Sequence, residues 1–271
     1  MFQSSLSVQT FQENGFKGEK MFNLTGKVAI VTGAAVGLGQ GISVAFAKQG
    51  ASVVPTDLPG VSLDETVKLC KDAGSLEVYP TAMDVTNQQS ILSAVNEIKE
   101  HFGHIDILAS NAGMNKPIPA IELTPEMWDA HFDLNIKGGF FTAQAVAPIM
   151  KEQHYGRIIF TGSQAGIVAR ENQLPYCATK GGIQSMARAL AFDWAKDGIT
   201  VNVVAPTFAM TELTRQRLED PEYSKMVLGM IPVGRVVEPI EIGASFAYLA
   251  SDEAAMVTGH TLVIDGGWTI W

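Results

Sequence analysis

Tyr176 and Lys180 stand four residues apart in a Tyr-Cys-Ala-Thr-Lys run that opens a helix-like stretch, with Ser163 thirteen residues upstream. A phenol free in solution ionises near pH ~10, so it is a poor proton shuttle at neutral pH unless a nearby positive charge favours the phenolate. Residues four apart on a helix share a face, so the Lys180 ammonium can sit beneath the Tyr176 oxygen and lower its pKa. The same spacing also occurs on the solvated face of an ordinary amphipathic helix, and the surrounding residues decide between the two readings.

Thr32-Gly33-Ala34-Ala35-Val36-Gly37-Leu38-Gly39 follows the apolar run 28–31 and precedes a helix-like stretch at 38–49. A strand, a glycine turn and a helix N-terminus form a diphosphate site, because small residues let the backbone approach and unpaired N–H groups face the anion. The spacing is Gly-x-x-x-Gly-x-Gly, and taken alone it is also compatible with a structural turn. Asp57 stands eighteen residues after Gly39, just past the second expected strand. A carboxylate there accepts both ribose hydroxyls of an adenosine and repels a 2′-phosphate. No Lys or Arg lies in 34–38 or beside Asp57, so the residues favour NAD over NADP. The bland reading of Asp57 is an exposed turn residue between Pro55 and Pro59.

In series these features resemble the short-chain dehydrogenase/reductase family from about residue 24 to the C-terminus. The turn 32–39 matches its cofactor loop, Asn111-Ala112-Gly113 its second signature, Asn135 in Leu134-Asn135-Ile136 its helix asparagine, and Ser163, Tyr176 and Lys180 its active-site trio. One departure is visible: Pro206-Thr207 stands where the family usually has Pro-Gly.

The resemblance implies roles for these residues. Tyr176 exchanges the hydroxyl proton, Ser163 polarises the substrate oxygen, Lys180 lowers the phenol pKa and grips the nicotinamide ribose, and Asn135 anchors a water chain. Gly33, Gly37, Leu38 and Gly39 hold the diphosphate, and Asp57 and Leu58 the ribose. Asp84 and Val85 meet the adenine, and Asn111, Ala112 and Gly113 form the floor. Pro206, Ala209 and Thr211 meet the nicotinamide end. Asp84 and Thr211 also read as helix caps, and Asn135 as a polar helix residue whose amide is satisfied internally.

Apolar strand-like runs at 27–32, 52–56, 76–80, 105–109, 156–161, 200–204 and 261–264 alternate with amphipathic segments at 38–49, 63–73, 88–102, 125–151, 175–196 and 239–250. This alternation predicts α/β architecture: a single doubly wound Rossmann domain over 23–271, with a seven-stranded parallel sheet and helices on both faces. Ligands of such sheets bind at the carboxyl ends of the strands, where all the named residues fall. A helical insertion at about 207–235 reads as a substrate lid, and residues 1–22 as a flexible extension with neither a secretory nor a mitochondrial signature.

The formal net charge is −9, and no Lys/Arg cluster offers a footprint for nucleic acid. No run approaches the ~20 apolar residues of a membrane span. Two cysteines, Cys70 and Cys177, suit a reducing, cytoplasmic setting, and no metal site is expected because no ligand cluster is visible.

Between Ser163 and Tyr176 lie Gln164, Arg170, Glu171, Asn172 and Gln173, and Asn115 follows the Asn-Ala-Gly turn. A rim this polar suits a substrate with many hydroxyls, such as a sugar alcohol, ketose or sugar acid, with Asn115, Gln164 and Gln173 touching it. It also reads as a solvated loop. Within the family the likeness is closest to sugar-alcohol and sugar-acid dehydrogenases, with a shared tail at 265–271. Trp268, Ile270 and Trp271 there form an apolar end for a neighbouring subunit to cover, and the resemblance implies a homotetramer. The rival readings are a 3-oxoacyl-carrier-protein reductase, against which Asp57 and the acidic charge speak, and an NAD-binding protein without turnover.

Overall fold

The structure is a computed structural model that describes residues 21–270, so the expected extension up to residue 20 and the terminal Trp271 lie outside the described residues. Seven strands form one sheet: β1 Val28–Thr32, β2 Ser52–Asp57, β3 Thr81–Ala82, β4 Ile107–Ser110, β5 Gly156–Thr161, β6 Ile199–Pro206 and β7 Thr261–Ile264. Their order is β3-β2-β1-β4-β5-β6-β7, and every neighbouring pair is parallel. β1, β4, β5 and β6 are buried along their whole lengths, as a sheet covered on both faces requires.

Side chains alternate across this sheet and divide the core in two. Ile30, Leu108, Ile158 and Val201 face one layer, formed by α3 Gln88–Phe102, α5 Gly138–Gln153 and α6 Leu174–Trp194. Ala29, Val31, Ile107 and Ile159 face the other, where α1 Gly37–Lys48 and α9 Pro239–Ala250 contribute Ile42, Phe46, Ile242 and Phe246. Helix α2 Asp64–Asp72 completes that side. The chain winds outward in one direction from β1 and in the other from β4, so the crevice opens at the carboxyl ends of these two strands.

Four expectations need correction. The strand expected at 76–80 is split: Val78 makes a single bridge to Val53, and β3 begins only at Thr81, because Pro80 between them has no N–H for a ladder. The helix expected at 125–151 is two helices, α4 Pro125–Phe132 and α5, joined by a π-helical turn at Asp133–Lys137. The expected boundary at 22 falls inside the packed body, since Phe22 N–H donates to Glu253 Oε1 at 3.0 Å and its ring meets Tyr248 edge-on at 5.5 Å. Trp268 is not an open apolar end: it is buried in a third core with Val227, Ile231 and Val236, beneath α7 Glu212–Leu218 and α8 Pro221–Gly229. Ile270 does stay largely exposed.

Candidate active site

Helix α6 starts at Leu174 with Pro175 in its first turn, where a missing N–H costs nothing, and so presents Tyr176 and Lys180 at the end of β5. Lys180 is buried, and its Nζ donates to the Thr161 carbonyl oxygen at 2.7 Å while standing 5.6 Å from the centre of the Tyr176 ring. Burial pulls the Lys180 ammonium down to about 8. Burial also raises the Tyr176 phenol, and the opposing pull comes first from a hydrogen bond with Ser163. Ser163 Oγ accepts the Ala165 N–H at 3.1 Å, which leaves its own proton to donate to the phenol oxygen. Within the protein itself the lowering of the Tyr176 phenol comes first from Ser163 and then from the Arg170 charge, while the Lys180 ammonium is held by the Thr161 carbonyl.

Asn135 lies in the π-helical turn, an insertion that re-aims one side chain out of helical register. Its Oδ1 accepts Met114 N–H at 2.7 Å, and its Nδ2 donates to Met114 O at 2.9 Å and to Thr179 Oγ1 at 3.1 Å. Both amide hydrogens are thus occupied within the protein. It joins the β4 loop to α6: a Cβ on Gly113 would stand 3.1 Å from Asn135 Oδ1 and 3.7 Å from Lys180 Nζ.

The β1–α1 turn is a cradle only glycines can form. Gly33 and Gly37 both have φ of +64°, and a Cβ on Gly33 would lie 2.9 Å from Ala112 Cα. At Gly39 a Cβ would run into the Gly33 carbonyl. Helix α1 has Val36 at its N-cap with no side-chain hydrogen bond and no acid in its first turn, so the N–H groups around Gly37, Leu38 and Gly39 lack a protein acceptor there. Helices α3, α4, α7 and α8 all carry side-chain caps. Orphan donors on a narrow glycine cradle fit the diphosphate of a dinucleotide.

Asp57 closes β2 and turns back on this cradle: Oδ2 accepts Ala35 N–H at 3.0 Å and Oδ1 accepts Leu58 N–H at 2.9 Å. Leu58 is exposed beside it. Asp84 does not cap α3, whose N-cap is Asn87; its Oδ1 accepts the N–H and hydroxyl of Thr86 at 2.9 and 2.7 Å in the turn before the helix, and Val85 is a buried core residue whose carbonyl packs against Gly138. Asn111 is fully engaged in the scaffold. Its Nδ2 donates to the carbonyls of Thr32 and Gly33 at 3.0 and 3.1 Å, and its Oδ1 accepts Thr161 Oγ1 at 3.1 Å, so β1, β4 and β5 are clamped at one point.

Thr211 caps α7 by accepting Thr214 N–H at 3.3 Å, and its methyl would stand 3.3 Å from a Cβ on Gly37, which brings the start of α7 to the cradle. Ala209 bridges to Val237, closing the base of the segment that carries α7 and α8. Pro206 ends β6, and Thr207 N–H continues onto Ile264 O at 3.1 Å, while Thr207 Oγ1 is buried without a partner. The side chain that replaces the usual glycine is thus accommodated, at the expense of an unsatisfied hydroxyl.

Of the expected rim, exposed Asn115 donates to Gln173 Oε1 at 3.1 Å, so these two are joined. Gln164 is buried rather than on a rim, and its Oε1 has no partner. Arg170 lies over the rings of Phe208 and Trp268, 4.7 and 5.0 Å from their centres. Thr161 at the end of β5 and Thr179 on α6 complete the site unannounced by the sequence: their hydroxyl partners, Asn111 and Asn135, come from distant segments and are known only once the chain has folded.

The family model described as "Enoyl-(Acyl carrier protein) reductase" matches residues 33–269. A D-threitol dehydrogenase of Mycolicibacterium smegmatis is 39% identical over 92% of this chain and 95% of its own. An NAD-dependent glycerol dehydrogenase of Listeria innocua is 37% identical over 94% and 99%. A solved structure from Agrobacterium tumefaciens, a candidate 2-deoxy-D-gluconate 3-dehydrogenase with NADP bound, superposes with a TM-score of 0.85 at 31% identity, covering 93% of this chain and 100% of that one.

Proposed function

The chain belongs to the short-chain dehydrogenase/reductase family and is an oxidoreductase acting on CH–OH groups, and on that premise we propose that it oxidises a secondary alcohol of a polyhydroxylated substrate with NAD. The observation that carries this reading is the convergence of Ser163, Tyr176 and Lys180 at the end of β5, beside the glycine cradle. Ser163 holds the substrate hydroxyl, and Tyr176 takes its proton as the carbonyl forms. The nicotinamide, when bound, supplies the acceptor for the hydride. Lys180, with its ammonium softened by burial, holds the cofactor ribose and favours the phenolate as the pocket fills. Gly33, Gly37, Leu38 and Gly39 hold the diphosphate. Asp57 and Leu58 take the adenosine ribose, and Ala112, Gly113, Pro206, Ala209 and Thr211 line the remainder, with residues 207–235 as lid.

NAD is favoured because Asp57 stands where a 2′-phosphate would come, held there by two backbone N–H groups. A homotetramer through α5, α6 and β7 is the expected assembly. Phe192 on α6 and Met256 before β7 are both strongly exposed in the single chain. Both cysteines, Cys70 and Cys177, are free, in keeping with a cytoplasmic setting.

Tyr176→Phe should abolish turnover of a panel of alditols and aldonates while leaving NADH binding, read by fluorescence, nearly intact. Retained activity in that variant removes the acid–base assignment. Likeness to a 3-oxoacyl-carrier-protein reductase of Thermotoga maritima, 36% identical over 91% of this chain, favours a second reading, a carrier-protein carbonyl reductase. Faster reduction of a 3-oxoacyl thioester with NADPH than of any ketose with NADH would establish it.

A further inference from the structure

Arg170 is the one cation of the loop between Ser163 and Tyr176, and no role has so far been given to it. Its guanidinium lies 4.7 Å from the centre of the Phe208 ring and 5.0 Å from that of Trp268, so the first residues of the lid and the C-terminal turn form an aromatic seat for it. Phe208 is backed in turn by Tyr223 of α8, with ring centres 6.4 Å apart and nearly perpendicular. The seat fixes the plane of the side chain but satisfies none of its N–H groups.

No carboxylate and no carbonyl among the described residues pairs with Arg170. The other half-buried or buried arginine near the sheet, Arg157, has its donors on the carbonyls of Ser251, Gly156 and Gly198 and on Asp252. Burial lowers the Arg170 pKa, yet an arginine remains charged at any physiological pH, so this is a half-desolvated cation with idle donors. It acts electrostatically on Tyr176, Tyr223 and Cys177, and its charge reaches the catalytic phenol, which it favours in the ionised form. A planar donor fork held rigid on aromatic rings and left without an acceptor matches the geometry of a carboxylate.

We infer that Arg170 is a specificity residue that receives the carboxylate of the substrate, so that the substrate is a sugar acid and not a neutral sugar alcohol. This deepens the polyhydroxylated-substrate reading and rests on it. A ligand spanning from the Ser163–Tyr176 pair to Arg170 would place its charged end under the lid, with Phe208 and Trp268 shielding the ion pair from water. Neutral alditols offer the guanidinium only single hydroxyl acceptors and leave its charge uncompensated.

The test compares D-gluconate with D-glucitol, D-galactonate with galactitol, and D-xylonate with xylitol, for the wild type, Arg170→Gln and Arg170→Lys. The wild type should favour the acid of at least one pair, and Arg170→Gln should lower kcat/KM for that acid by about 10- to 100-fold with little change for the neutral partner. Arg170→Lys, which keeps the charge but not the fork, should fall between. A purely structural role in the aromatic seat would depress acid and alcohol alike, so the ratio separates the two. Thermal stabilisation by the same acids in the presence of NADH supplies a readout free of turnover, expected in the wild type and lost in Arg170→Gln. Preference for the neutral alcohols, an unchanged ratio in Arg170→Gln, or no carboxylate-dependent thermal shift in the wild type each overturn the inference. If Tyr176→Phe retained activity, the broader reading would fail separately.

Discussion

Lys180 Nζ donates to the carbonyl oxygen of Thr161 at 2.7 Å, which ties the ammonium of α6 to the last residue of β5 while it stands 5.6 Å from the centre of the Tyr176 ring. Burial moves this group from 10.5 to about 8. Between those values the unfolded chain holds the proton and the folded chain does not, so stability rises with pH across that window, and below it the full burial penalty is present. Lys180→Met should accordingly stabilise the protein near neutral pH, measured by urea unfolding without cofactor. The desolvation relief is up to about 3 kcal/mol, reduced by about 1 kcal/mol for the orphaned Thr161 carbonyl. The gain should vanish as pH rises past 10.5, while activity is lost throughout. A variant less stable than the wild type at neutral pH would contradict this.

Ser163 hydrogen-bonds the Tyr176 phenol and pulls its pKa down against the upward push of burial. Ser163→Ala should move the acidic, ascending limb of the pH–rate profile for alcohol oxidation to higher pH, since the phenolate is the active base there, and lower kcat by roughly 10²-fold. An unmoved limb would mean that the phenol is not the group titrating in the rate.

The Asn111 side chain makes three hydrogen bonds, two to carbonyls of the β1 end and one from Thr161. Asn111→Ala should lower unfolding stability by about 2 to 4 kcal/mol and weaken NADH binding through the loosened cradle. Combining it with Thr161→Val should give a coupling energy of about 1 kcal/mol, since both changes remove the same bond. Strict additivity would show that the clamp is not one unit.

Asp57 is predicted to discriminate against the 2′-phosphate. Asp57→Ala should shift the ratio of kcat/KM for NADH over NADPH by roughly 10²-fold toward NADPH, since a repulsion worth about 3 kcal/mol is removed. An unchanged ratio would place the discrimination elsewhere.

Much of the architecture follows from local rules that one chain carries openly. Apolar runs separated by amphipathic segments dictate a parallel sheet wrapped by helices, and glycines at 33, 37 and 39 with Asp57 downstream mark the first crossover. Tyr176 and Lys180 are legible because their four-residue spacing is a property of the helix they sit in. The split at Pro80 was also in reach, since a proline inside a strand run is a warning in itself. The π-helical turn around Asn135 was not, because nothing in its residues departs from an ordinary helix.

Residue types and their order were enough to specify the layers, the glycine turn and the candidate reacting groups, because helix and strand periodicities act over a few residues. Partnership was settled only once distant segments met. Folding turned Lys180 toward Thr161, joined Asn135 to Met114, made Asn111 a three-strand clamp, and seated Arg170 on Phe208 and Trp268. Hydrogen bonds and ring contacts act over a few ångströms, and which groups come that close depends on how strands far apart in the chain are ordered in the sheet.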